Sequence, residues 1–165
     1  MRLVLIFYCA LALGLAGCST SKFKQYNGPQ VTQILIDKSE RRMWLLHGKR
    51  ALKVYDVDLG FDPEGHKAVE GDGRTPEGWY TIDRRNPNSR YHLSLGISYP
   101  NQADVAKARA LGKDPGGDIF IHGGPRLISD RNKPDWTAGC ISVTDRQMET
   151  IYAMVKDGTP IFIKP

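Results

Sequence analysis

The chain has 165 residues, 41% hydrophobic and 25% charged, enough apolar material for one domain with its own core and no metal or disulfide staple. Its 23 basic and 18 acidic residues give a formal charge of +5, but there is no long Lys/Arg run and no aromatic-basic stripe, which argues against nucleic acid as a partner. The 17 glycines and 10 prolines describe a turn-rich globular protein. The first element, MRLVLIFYCALALGLAGC, sets Arg2 ahead of an uncharged apolar run from Leu3 to about Ala16 and then small residues. That layout is a secretory leader, and its run is shorter than the roughly 20 residues a spanning helix needs.

The end of the leader, Leu15-Ala16-Gly17-Cys18, resembles a bacterial lipobox. The resemblance implies removal of residues 1–17, acylation of Cys18 and tethering to a membrane surface. With Ser19 rather than aspartate next, a Gram-negative cell would hold the protein at the outer membrane, facing the periplasm. Loss of Arg2 leaves 22 basic against 18 acidic residues, a formal +4. Residues 18–30 (CSTSKFKQYNGPQ) are polar and turn-rich and read as a flexible tether; residues 31–165 form the domain.

Within the domain, VTQILID alternates and is β-branched, and RRMWLLHGKRALKVYDVDLG reads as two strands around a His47-Gly48 turn. Short strands are expected at Gly78–Ile82, from Tyr91 (YHLSLGI), at Asp118–His122 and at Gly139–Val143. NQADVAKARALG predicts a short helix ending at Gly112. Thr144 with Gln147 fits a capping box, with Met148, Ile151, Tyr152 and Val155 at helical spacing and Gly158 as the stop. TPIFIKP closes the chain as a strand. The sum is a mainly β domain, mixed but largely antiparallel and sandwich-like, with one or two α-helices.

Of three cysteines, Cys9 lies in the leader and Cys18 is spent on lipid, so Cys140 has no disulfide partner in an oxidising compartment. Such a thiol is either buried and inert or kept because it reacts. A nearby histidine could take its proton, the imidazolium then holding the thiolate. His47 and His66 fall in turns and read as solvated. His122 ends an apolar strand and is followed by Gly123-Gly124-Pro125, so two glycine-flanked strand ends could bring sulfur and imidazole together. Gly139 would leave backbone N–H groups bare beside the sulfur as an oxyanion hole.

The segments IFIHGGP and DWTAGCISV together resemble the catalytic motif of the YkuD-type L,D-transpeptidases, and TPEGWYTI and YDVDLG extend the resemblance to residues 31–165. The resemblance implies the YkuD-like fold, Cys140 as nucleophile, His122 as base and Gly123 as the carbonyl that orients the imidazole. Thr137 takes the Ser/Thr place of the motif, and Gly139 with Cys140 the oxyanion place. The implied reaction is attack on the diaminopimelate–D-Ala bond of a peptidoglycan tetrapeptide stem, release of D-Ala and transfer of the thioester to an amine. The chain departs from the frequent S-H-G-C-[I/L]-R at Ala138, which removes a second histidine, and at Ser142, which removes an arginine able to pair with a substrate carboxylate. His92 and Arg126 are candidates to compensate, and Trp136 could line the pocket.

Trp44 and Trp79 read as packing, and Asp118 as a solvated strand-end charge. No close ligand pair suggests a metal and no glycine-rich phosphate loop is present, so no cofactor is expected. Two rivals stand beside the transpeptidase. A hydrolase, whether an L,D-carboxypeptidase or an enzyme that cuts crosslinks or releases wall-bound lipoprotein, would use the same Cys140–His122 site with water. A wall-binding lipoprotein with a dead site would use neither residue.

Overall fold

A computed structural model describes residues 21–165; the leader and the lipidation expected at Cys18 lie outside the described residues. The elements run β1 (Gln33–Asp37), β2 (Arg42–His47), β3 (Arg50–Asp56), β4 (Gly78–Asn86), β5 (Ser94–Ile97), α1 (Gln102–Ala110), β6 (Phe120–His122), β7 (Ile141–Ser142), α2 (Asp145–Met154) and β8 (Pro160–Lys164). The strands form one sheet in the order β3-β2-β1-β8-β4-β5-β6-β7. The β1–β8 and β6–β7 ladders are parallel and the others antiparallel, so the mixed, largely antiparallel expectation holds.

The period of two explains the central rows. Ile34 and Ile36 face the same side of β1, with Ile161 and Ile163 in register on β8 and Leu45 and Met43 on β2, and all six are fully buried. Each such side chain contributes about 1.5–3 kcal/mol on burial. Ile82, Leu95, Ile97, Ile121 and Ile141 continue the core under Met148 and Ile151 of α2.

The sandwich-like layering arises from a single sheet that curls. β4 pairs with β8 over Gly78–Thr81 and with β5 over Ile82–Asn86, and its register shifts between Ile82 and Arg84. Beyond β3, Asp58 exchanges backbone hydrogen bonds of 3.0 and 2.8 Å with Ser142, while Phe61 N–H donates to Thr137 O at 2.9 Å. The segment after β3 is thereby laid against β7, and the motif residues end up inside the fold.

Both helices start where their caps place them. Asn101 with Asp104 and Thr144 with Gln147 form capping boxes. Gly158 is not the helix stop: Val155 is already extended, and Gly158 (φ 84°) makes the turn into β8. The strand expected from Tyr91 begins only at Ser94, because His92 takes φ 74° and Leu93 N–H turns back to Tyr91 O. His66 is not simply solvated. Its Nε2 donates to buried Asp104 at 3.0 Å and its Nδ1 accepts from Glu77 N–H, joining α1 to the loop before β4. His47 is exposed but its Nδ1 donates to Gln30 O at 2.8 Å.

The polar segment expected to be a flexible tether is tied down from Lys22. Lys22 Nζ donates to Pro87 O and His92 O, Lys24 pairs with Glu149 at 3.1 Å, and Phe23 lies against Tyr152. Two ammonium groups and an aromatic ring supply partners that polar composition alone does not reveal.

Candidate active site

β6 and β7 run parallel with Ile121 opposite Ile141 and His122 opposite Ser142. Side chains alternate along a strand, so the isoleucines enter the core while His122 and Ser142 share the other face. By the same alternation Cys140, two residues before Ser142 and immediately ahead of β7, belongs to that face.

His122 is 4% exposed. Its Nδ1 lies 2.7 Å from Gly123 O, and a carbonyl only accepts, so Nδ1 carries the proton and Nε2 holds the free lone pair. Tyr91 stacks on the ring at a centroid distance of 4.4 Å and 25° between planes, and Trp136 meets it edge-on at 5.6 Å. Burial pushes the imidazole below its ordinary value; the Gly123 hydrogen bond opposes this and the Arg126 charge adds to it.

Gly123 must be glycine, since a Cβ there would meet the Asp145 carboxylate and lie 2.6 Å from Tyr91 O. Its carbonyl also accepts from Ser142 Oγ at 3.4 Å. Ser142, where the motif often has arginine, is therefore a buried hydroxyl beneath the histidine. Arg126 forks onto Asp145 at 2.9 and 2.7 Å, and Asp145 accepts from Gly124 N–H at 3.1 Å. The arginine thus secures the turn after His122. His92 Nε2 points to Glu149 of α2 at 3.0 Å. Both candidates for the missing carboxylate contact are engaged elsewhere.

Thr137 braces the cysteine. Its hydroxyl lies 2.9 Å from Leu59 O and 2.7 Å from Cys140 O, and it accepts from Gly139 N–H at 3.2 Å. The Gly139 N–H is thus used inside the turn and does not face the sulfur's surroundings as expected. Gly139 has φ 127°, and a Cβ would lie 2.7 Å from Arg74 O, so only glycine fits.

Cys140 is partly exposed and free. Its Sγ donates to Asp118 O at 3.5 Å, not to the imidazole. Burial pushes the thiol up; the Phe120 N–H opposes this, Asp118 adds to it, and Lys67 and Arg84 pull it down. With the thiol raised and the imidazole lowered, the resting pair is neutral rather than thiolate and imidazolium. The sulfur opens on a 310 Å³ cavity lined by Lys67, Glu70, Asp118 and Ala138 among others. Ala138, exposed at that wall, leaves it small where the motif often has histidine. Tyr91 and Lys67 are the site residues that the sequence does not reveal; Tyr91 reads as a strand start, and Lys67 lies in an unremarkable loop. Among the described residues no group of three His, Cys, Asp or Glu is placed to hold a metal, and no helix is long and apolar enough to cross a membrane.

The site is a curled mixed sheet that carries a carbonyl-oriented histidine and a glycine-flanked thiol at adjacent parallel strands. The chain belongs to the YkuD family of L,D-transpeptidase catalytic domains, whose family model matches residues 31–163. It is 29% identical over 174 aligned positions to the protein named "Putative L,D-transpeptidase YafK" of Escherichia coli strain K12, covering 98% of this chain but only 64% of that relative's length. The helical cell shape determining protein Pgp2 from Campylobacter jejuni superposes with a TM-score of 0.63 at 25% identity, over 85% of this chain and 50% of that one. An L,D-transpeptidase from Mycobacterium smegmatis shares the fold with a TM-score of 0.55 at 13% identity, over 82% and 59%.

Proposed function

We propose that the domain is a cysteine-dependent L,D-transpeptidase acting on peptidoglycan stem peptides, in a protein anchored through acylated Cys18 on the periplasmic side of the outer membrane. The observation that carries the reading is the tautomer of His122: Gly123 O holds Nδ1–H, which leaves Nε2 as a base on the face shared with Cys140. Rotation about the Cys140 Cα–Cβ bond turns Sγ from Asp118 O toward Nε2. The imidazole takes the thiol proton as sulfur attacks the carbonyl of the L-centre of diaminopimelate. The Cys140 N–H is our oxyanion donor, since that of Gly139 is committed to Thr137. Collapse breaks the amide bond, and the imidazolium returns its proton to the departing D-Ala nitrogen. An acceptor amine then loses a proton to Nε2, attacks the thioester and frees the cysteine. Oriented proton transfer of this kind contributes roughly 10²–10⁴-fold.

The test is incubation of the purified chain with tetrapeptide muropeptides, with Cys140→Ala as control and mass spectrometry of products. Crosslinked dimers that require Cys140 support the transpeptidase. Free D-Ala with tripeptide alone replaces it with an L,D-carboxypeptidase, and product from crosslinked or lipoprotein-linked murein alone points to the other hydrolases. Cys140→Ala protein with full activity on every substrate overturns the nucleophile.

A further inference from the structure

The site as described lacks a group to meet the substrate's carboxylate, because Ser142 is buried under Gly123 and both His92 and Arg126 are engaged elsewhere. The Cys140 cavity nevertheless contains a cation. Lys67 lines it together with Cys140, Ala138, Gly71, Gly116 and Gly117, and the lysine side chain is only 3% exposed. Its volume, 310 Å³, is at the low end of the roughly 300–1,000 Å³ that small-ligand clefts span. A volume that small has room for a short chain terminus rather than a bulky side chain.

A buried ammonium has three N–H bonds to satisfy. Lys67 Nζ donates to Val69 O at 3.0 Å and to Asp72 Oδ1 at 2.9 Å. Among the described residues no third acceptor is present. Asp72 is not free to give more: it also accepts from Ala68, Val69 and Arg74 N–H groups. Although burial alone would push its carboxyl up, those bonds and Lys67 hold it down at about 2, so the carboxylate stays charged.

We propose that Lys67 is the specificity-determining cation of the Cys140 cavity, its third N–H donating to a carboxylate of the substrate next to the bond that Cys140 attacks. This rests on Cys140 being the nucleophile. The acceptor that fits is a free carboxylate on a short, small-residue terminus, such as the D-Ala end of a stem peptide. Lys67 binds the group and leaves the chemistry to Cys140 and His122. Its position also accounts for its pull on the thiol from across the same cavity.

The experiment compares alkylation of Cys140 by iodoacetate and by its neutral analogue iodoacetamide, read on the Cys140 peptide of the full-length chain by mass spectrometry. Changes in thiolate fraction or in folding alter both rates and cancel in their ratio; recognition of the carboxylate does not. A hydrogen bond to a charged group is worth about 1.5–3 kcal/mol, so Lys67→Met should lower the iodoacetate-to-iodoacetamide ratio by about tenfold or more. Lys67→Arg, which keeps the charge paired with Asp72, should hold the ratio within about threefold of wild type, and D-alanine should protect wild-type Cys140 better than D-alaninamide. Arg84, paired at the surface with Asp83 and Asp118, is the competing cation. A ratio unchanged in Lys67→Met, or one that falls as far in Arg84→Gln, overturns the assignment. If Lys67→Met does not fold, equal protection by D-alanine and D-alaninamide overturns it instead. Failure of both reagents to modify Cys140 overturns the nucleophile, and Lys67 with it. The ratio is independent of turnover, so the two failures are distinguishable.

Discussion

Replacing Tyr91 by alanine isolates what holds the base in place. The ring stacks on His122 at 4.4 Å and 25°, on an imidazole only 4% exposed, while the Tyr91 backbone carbonyl accepts from Gly123 N–H whatever its side chain. Aromatic pairs of this geometry are worth about 0.5–1.5 kcal/mol beyond their buried area. If that energy orients the base in the transition state, Tyr91→Ala lowers kcat by about 2- to 12-fold. A second readout is independent of rate. His122 sits below its ordinary value of 6.5 chiefly because it is buried, so uncovering the ring moves it up. As pH falls below 6.5 the unfolded chain takes the proton first. Wild type therefore loses stability from 6.5 down through the depressed value of His122, and the variant loses less over that window. NMR titration of the His122 ring protons, with denaturant melts between pH 5 and 7, measures both effects. Tyr91→Phe keeps the ring and should match wild type. A His122 value unmoved or lowered in Tyr91→Ala, or Phe as damaging as Ala, would refute the argument.

Gly139→Ala combines a left-handed backbone with a clash at Arg74 O, and should cost about 2–4 kcal/mol and lower Tm by roughly 5–10 °C in a thermal melt. Asp104→Ala strands His66 Nε2–H and Asn101 N–H and leaves the Tyr80 hydroxyl only Glu77 O at 3.4 Å; about 3 kcal/mol should be lost in urea denaturation, and a loss under about 1 would show that water replaces the carboxylate. Thr137→Val should slow Cys140-dependent turnover about tenfold while Thr137→Ser restores it, since the hydroxyl braces the Cys140 turn. Because burial holds the thiol above its ordinary 9.0, the iodoacetamide rate at Cys140 should still climb from pH 7 to 9; a plateau reached by pH 7 would mean a preformed thiolate.

What the sequence revealed was local. Cys140, His122 and Gly123 sit in short motifs whose neighbours dictate backbone shape, and the Thr144–Gln147 cap fixes α2 within one turn. The central strands were legible because Ile34, Ile36, Ile161 and Ile163 alternate. The misreadings depend on distant chain. His66 reads as a loop histidine until α1 brings Asp104 to it, 38 residues away. Arg126 and His92 look available until Asp145 and Glu149 of α2 arrive. Lys67 is one of many lysines until the curl of the sheet sets its loop beside Cys140. The docked segment at Lys22–Lys24 reads as a tether because its acceptors lie in the Pro87–His92 loop and on α2.

These long-range contacts explain why a lone thiol is tolerable in the oxidising compartment proposed for it. Thiolates, not thiols, attack disulfides and are oxidised. Burial raises Cys140 and lowers His122, and the Asp118 carbonyl occupies the thiol proton, so the balance at the resting site keeps the sulfur protonated despite the Phe120 N–H and Arg84. Lys67 pulls the other way, but its charge is shared with Asp72. A substrate carboxylate on Lys67 would bring a peptide carbonyl up to the sulfur just as the proton acquires a place to go on Nε2. Reactivity then depends on occupancy of the cavity, and the same burial that slows a stray oxidant leaves the reaction with its own substrate open.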